Sequence, residues 1–140
     1  MVQSLHQAAL DGIAPWTDQV DGLSTFLVTV FRDKYPVTPG HLLFVPKDNT
    51  PNAIGIAMKM AVDYGDQLVN NNECDGYNVG LNSGEAAGQT VMYPHVHLIP
   101  RLTGDMKDPR GGVRHVIPDR GNYKKDNDLD WDNLAVGMAG

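Results

Sequence analysis

The chain has a single cysteine, Cys74, no apolar run approaching the roughly 20 residues that a membrane-spanning helix needs, and no excess of positive charge. A lone thiol cannot close an internal disulfide. Without a C-x-x-C pair there is no cysteine framework for structural zinc either, so a reducing, intracellular setting is expected. The first residues, MVQSLHQAALDGIAPW, lack the positive flank and the continuous apolar segment of a secretory signal, which sets the expected location in the cytoplasm. The formal net charge of −6 repels phosphate polymers and anionic lipid, so neither nucleic acid nor a membrane is an expected partner. A small anion can still be held by local donors.

A chain of 140 residues, 41% of them hydrophobic, suits one core. SLHQAALDG, residues 4–12, reads as a short helix ended by Gly12. TFLVTVF (25–31) and HLLFVP (41–46) are dense in β-branched and aromatic residues, and the turn RDKYPVTPG joins them as neighbouring antiparallel strands. Thr50 as N-cap and Pro51 at the first helical position open a long helix. Its Ile54, Ala57, Met58, Ala61, Leu68 and Val69 share one stripe, and it ends near the asparagines at 70–72. YNVGLN (77–82) alternates Tyr77, Val79 and Leu81 against Asn78, Gly80 and Asn82, a strand with one face on the core. The glycine-rich loop SGEAAGQT then leads to a last strand over roughly 92–100. These elements predict an α+β domain on an antiparallel sheet, residues 1–103. Residues 104–140 form a partly irregular or disordered extension, whose segment KKDNDLDWDN carries four aspartates in ten residues.

Two of the five histidines, His95 and His97, stand two apart on that last strand and share a face with Tyr93. Three readings compete. They are hydrogen-bonded sheet residues; or metal ligands, with His41, His115 or an aspartate completing the shell; or one of them is a nucleophile or acid–base group. The preceding Gly-Gln-Thr offers backbone N–H, amide and hydroxyl donors with little bulk, as a phosphate requires, and residues 86–101 hold no carboxylate to favour a metal.

GQTVMYPHVHLIPR (88–101) resembles the signature of the histidine triad (HIT) family, in which three histidines alternate with apolar residues after Gly-Gln-Thr or Gly-Gln-Ser. FRDKYPVTPGHLLFVPK (31–47) is similar to the family's aspartate-x-x-proline turn followed by Pro-Gly-His and a strand, and GDMKDPRGGVRHVIP resembles C-terminal extensions of some bacterial-type members. The resemblance implies a HIT-like antiparallel sheet of about five strands with one long helix, paired across a two-fold axis as a homodimer. It implies a nucleotidyl hydrolase or transferase acting at the α-phosphate of a nucleotide conjugate, such as a dinucleoside polyphosphate or a nucleoside phosphoramidate. No cofactor is implied; magnesium enters only as a complex of the substrate.

By the same matching, His95 is the nucleophile that becomes nucleotidylated, and His97 contacts phosphate oxygens or the leaving group. Gln89, counted with the catalytic set, binds phosphate together with Thr90 and Asn82. Asp33 accepts the ribose hydroxyls, Phe31, Arg32 and Lys34 line the base pocket, and His41 braces the sheet beneath. Tyr93 occupies the position of the first triad histidine, and Pro94 precedes the nucleophile, as in the family's uridylyl-transferring branch. Blander readings stand beside these. Asp33 begins a turn before Pro36, Phe31 packs into the core, and Arg110 and Arg114 face solvent rather than phosphate. Two other functions compete, nucleotide binding without cleavage and a histidine-ligated metal site.

Overall fold

Val28, Thr29 and Val30 branch at Cβ and favour extended backbone. In the computed structural model, which describes residues 18–123, they open strand β2 (Val28–Arg32). It pairs antiparallel with β3 (Leu42–Pro46), from Val28↔Pro46 to Arg32↔Leu42, and on its other edge with the two-residue β1 (Asp18–Gln19). β5 (Val96–Arg101) lies between β3 and β4 (Gly76–Leu81), so the sheet runs β1-β2-β3-β5-β4 and every pair is antiparallel. Five antiparallel strands and one long helix meet the expected α+β class. The two-residue β1 had no signal in the sequence, because both of its residues are polar and exposed.

Helix α1 (Pro51–Asn70) starts as predicted: the Thr50 hydroxyl accepts from the Ala53 N–H at 3.1 Å, and Pro51 gives up an N–H that no helical turn would have used. It stops where Asn72 turns left-handed (φ 60), a conformation asparagine tolerates. The helix covers one sheet face, setting Ala57, Ala61 and Gly65 against a cluster that includes Val28, Val30, Leu42, Phe44, Val96 and Leu98. The line of closest contact is therefore small side chains, with Ile54, Met58 and Leu68 flanking it. At Gly65 a Cβ would lie 2.8 Å from the ring of Tyr77 on β4.

Strand parity puts Phe31, Leu43 and Val45 on the opposite face, where they cluster with Val91 and Tyr93. Two boundaries differ from expectation. Thr25 and its neighbours form a turn, the Thr25 hydroxyl accepting from the N–H groups of Leu27 and Val28 at 3.3 and 3.2 Å, so β2 begins three residues later than predicted. The last strand begins at Val96 rather than 92, because its ladder with β3 ends at Phe44↔Val96 and Pro94 has no N–H to extend it. Tyr93 and His95 thus precede the strand. The helix expected at 4–12 and the acidic segment 124–133 lie outside the described residues.

The chain divides into two compact units between Thr103 and Gly104. Within the second, Arg114 donates to the carbonyls of Gly121 (3.1 Å) and Arg120 (3.2 Å) and lies over the Tyr123 ring, while Asp108 holds Arg110 and Asn122. Both arginines serve this unit's own turns. No helix among the described residues is long and apolar enough to cross a membrane.

Candidate active site

One sheet face collects the chemistry. Asp33 follows β2 with the parity of Phe31, His41 precedes β3 with the parity of Leu43, and His97 pairs across the ladder with Leu43 on one side and Gly80 on the other. The three side chains meet: His41 Nε2 lies 2.9 Å from His97 Nδ1 and 3.3 Å from Asp33 Oδ2, and His97 Nδ1 is 3.9 Å from the same oxygen. Asp33 also makes the turn of the bland reading, its Oδ1 accepting from the Tyr35 N–H at 2.8 Å. It makes the turn and joins the histidine cluster at once.

The protons in this cluster are fixed by one main-chain contact. The Val37 N–H donates to His41 Nδ1 at 3.1 Å, so that nitrogen presents a lone pair and the His41 proton sits on Nε2. Nε2–H then donates to His97 Nδ1, with the Asp33 carboxylate close by, and the proton of a neutral His97 is left on its own Nε2. His41 has no room for a second proton, since its Nδ1 already faces a donor; burial likewise pushes its pKa down, against the pull of Asp33. His97 is pushed down to about 4, by burial first and then by His95 and His41, with Asp33 opposing. Its ring is 5.2 Å from that of His95, centroid to centroid.

His95, 7% exposed, is oriented by the chain two residues before it. Its Nδ1–H donates to the Tyr93 carbonyl at 2.9 Å, which leaves Nε2 as an unprotonated lone pair. Burial lowers its pKa as well, opposed by that hydrogen bond and by Asp33. Tyr93 is itself buried, its hydroxyl 2.8 Å from the Pro46 carbonyl and 2.7 Å from that of Lys47.

The remaining predicted residues divide. Asn82 and Gln89 line a cavity of about 320 Å³ with Asn49, Ser83, Met92 and Pro94, the residue directly before His95. Gln89 is partly committed to its own loop: Oε1 accepts from the Gly84 N–H at 2.8 Å and Nε2 donates to the Val91 carbonyl at 3.1 Å, so one amide hydrogen is left for a ligand. Thr90 is exposed, and Phe31 belongs to the buried cluster beneath the histidines. Lys34 is exposed, its Nζ 5.7 Å from the Tyr35 ring centroid. Arg32 is not brought to this face. It has the parity of Val28 and Val30, pairs with Asp18 at 3.3 Å, and lines a separate cavity with Tyr64 and Leu68 of the helix. The expectation that it lines the same pocket as Asp33 is corrected by the pleat, which sends adjacent residues to opposite faces.

Asp33 Oδ2, His41 Nε2 and His97 Nδ1 lie within 4.8 Å of one another, a spacing that could surround a cation. The proton positions do not fit one. A metal on His41 Nε2 needs a lone pair there, yet Nδ1 already spends its own on the Val37 N–H, so the ring would have to become an anion. The triangle suits a hydrogen-bonded cluster of neutral rings beside a carboxylate.

Comparison with known proteins gives the same picture of kinship. A family model described as the HIT domain matches residues 23–104. An adenylylsulfatase of Arabidopsis thaliana is 34% identical over 80 residues, 52% of this chain and 41% of that protein. A bis(5'-nucleosyl)-tetraphosphatase (asymmetrical) of Schizosaccharomyces pombe is 31% identical over 91 residues, 60% of this chain and 50% of that one. The chain thus spans half or less of the length of either relative. The crystal structure of a zinc-bound histidine triad family protein from Mycobacterium smegmatis superimposes with a TM-score of 0.60 at 26% identity, covering 76% of this chain and 80% of that one.

Proposed function

The chain belongs to the HIT family, and from that premise we propose that it is a nucleotidyl hydrolase or transferase that attacks the α-phosphate of a nucleotide conjugate through His95. The observation that carries this reading is the hydrogen bond from His95 Nδ1–H to the Tyr93 carbonyl, because it makes Nε2 the basic nitrogen of a neutral ring. In the first step the Nε2 lone pair forms a bond to phosphorus, and the bond from phosphorus to the leaving group breaks with its electrons departing on the leaving atom. The proton stays on Nδ1, hydrogen-bonded to the Tyr93 carbonyl, so the nucleotidylated ring is a cation. Water or another acceptor then forms the new P–O bond, the P–N bond breaks, its electron pair returns to Nε2, and the acceptor's proton passes to solvent.

His97 Nε2–H donates to charge developing on the phosphate or the leaving group. Asn82, Thr90 and the free hydrogen of Gln89 hold phosphate oxygens, and Asp33, whose two oxygens keep further lone pairs, accepts from the ribose. Phe31 and Lys34 border the nucleoside. The protein works in the cytoplasm as a homodimer, without a cofactor of its own, and magnesium arrives bound to the substrate's phosphates. The two relatives above act, by their names, on an adenylyl sulfate and a dinucleoside tetraphosphate, which supports an anhydride as the scissile group.

The test is to mix the protein with a dinucleoside polyphosphate, trap it at neutral pH and weigh it. The expected result is a nucleotidyl adduct on His95, lost together with turnover in His95→Ala, while nucleotide affinity survives. Turnover by His95→Ala would overturn the assignment. Binding by the wild type with neither adduct nor turnover would make this a nucleotide-binding protein instead.

A further inference from the structure

The segment Met92–His95, which carries the nucleophile, precedes the β3–β5 ladder, and Pro94 within it can donate no main-chain hydrogen bond. The Tyr93 hydroxyl ties it to β3, set between two successive carbonyls, Pro46 at the end of β3 and Lys47 after it. Lys47 is pinned in turn, its N–H donating to the Leu27 carbonyl at 2.8 Å. Tyr93 also supplies the carbonyl that receives His95 Nδ1–H. The pyrrolidine ring after Tyr93 restricts it to extended backbone, so the direction of that carbonyl follows from where the tyrosine ring is held.

Resting on the reading of His95 as nucleophile, we propose that Tyr93 is a positioning residue: its hydroxyl clamps the pre-strand segment to the end of β3 and so holds the carbonyl that sets the His95 tautomer. The clamp uses a neutral donor. Burial, and secondarily Asp48, pushes the Tyr93 pKa up, so the hydroxyl keeps its proton through the working range. The first triad position is filled here by a group that orients the nucleophile and carries no charge.

Tyr93→Phe tests this, since phenylalanine keeps the ring that packs with Phe31, Leu43, Val45 and Val91 and removes only the hydroxyl. Two readouts are needed: the 15N shifts of the His95 imidazole, and the steady-state constants on a dinucleoside polyphosphate. In the wild type His95 is expected as a single tautomer, protonated at Nδ1. In Tyr93→Phe a population protonated at Nε2 is expected, with kcat down on the order of tenfold to a hundredfold and KM nearly unchanged. Val30→Ala, a truncation in the helix-side cluster, is the control for a general loss of stability and is expected to keep both tautomer and kcat. A Tyr93→Phe protein with the wild-type tautomer and kcat, or a Val30→Ala protein altered to the same degree, would overturn the inference. If the wild type turns over no nucleotide, the functional reading fails, while the tautomer readout still decides the role of Tyr93.

Discussion

Acidification loads the histidine cluster in a direction that can be worked out. An unfolded histidine titrates near 6.5, whereas His97 in the fold is held down to about 4, chiefly by burial. Between these values the unfolded chain binds a proton that the folded ring refuses. Stability contributed by this residue is therefore complete above pH 6.5 and falls as pH drops through the window toward 4. At about 1.4 kcal/mol per pH unit, the loss from His97 alone between pH 7.5 and 5.0 is about 2 kcal/mol, a large share of a domain's usual stability. His41 and His95 are lowered for the same reason and add to it.

Urea unfolding at pH 7.5 and 5.0, at one ionic strength, measures the difference. The partner measurement uses His97→Asn, whose amide oxygen can still accept from His41 Nε2–H but which binds no proton in this range. Wild type should lose at least about 2 kcal/mol on acidification, and the variant about 2 kcal/mol less than wild type. Equal stability of the wild type at both pH values, or the same loss in both proteins, would refute the proton assignment of the cluster.

Gly65→Ala should destabilise despite alanine's better helix propensity. The new Cβ would sit 2.8 Å from the Tyr77 ring, which cannot swing away while its hydroxyl is bonded to Asp66 at 2.7 Å. Overpacking of about 1–3 kcal/mol against a propensity gain of about 1 kcal/mol leaves a net loss, readable by urea unfolding, and Tyr77→Leu in the same chain should recover part of it. A neutral His97 can donate a hydrogen bond but cannot release its only proton without becoming an anion, so leaving groups that depart as stable anions are favoured over amines. An adenosine polyphosphate should therefore exceed an adenosine phosphoramidate in kcat/KM by at least about tenfold at pH 7.5, with the phosphoramidate gaining as pH falls; preference for the phosphoramidate would contradict this.

What the sequence disclosed follows from how local each signal is. Thr50-Pro51 predicts the helix start because capping acts within one turn, and β-branched runs predict β2 and β3 because the preference lies in the residues themselves. Arg32 was misplaced by counting neighbours of Asp33 along the chain, although the alternation rule applied to Val28, Val30 and Arg32 already sends it to the helix side. Gly65 was passed over because an apolar template skips glycine, yet Ala57, Ala61 and Gly65 at four-residue spacing form a visible small-residue line.

The contacts that decide the chemistry were not available at any spacing. Histidines 95 and 97 announce themselves as a pair, but which nitrogen of each carries the proton depends on groups that the motif does not contain. The Val37 N–H, brought round by the turn that Asp33 anchors, assigns His41 and through it His97. The Tyr93 carbonyl assigns His95, and it is steadied by a hydroxyl reaching carbonyls 47 and 46 residues earlier in the chain. A motif can thus single out candidate side chains, while their protonation is a property of the fold. On the proposed reading, what His95 requires from position 93 is a carbonyl held in place, and the Tyr93 hydroxyl on the Pro46 and Lys47 carbonyls supplies the anchor.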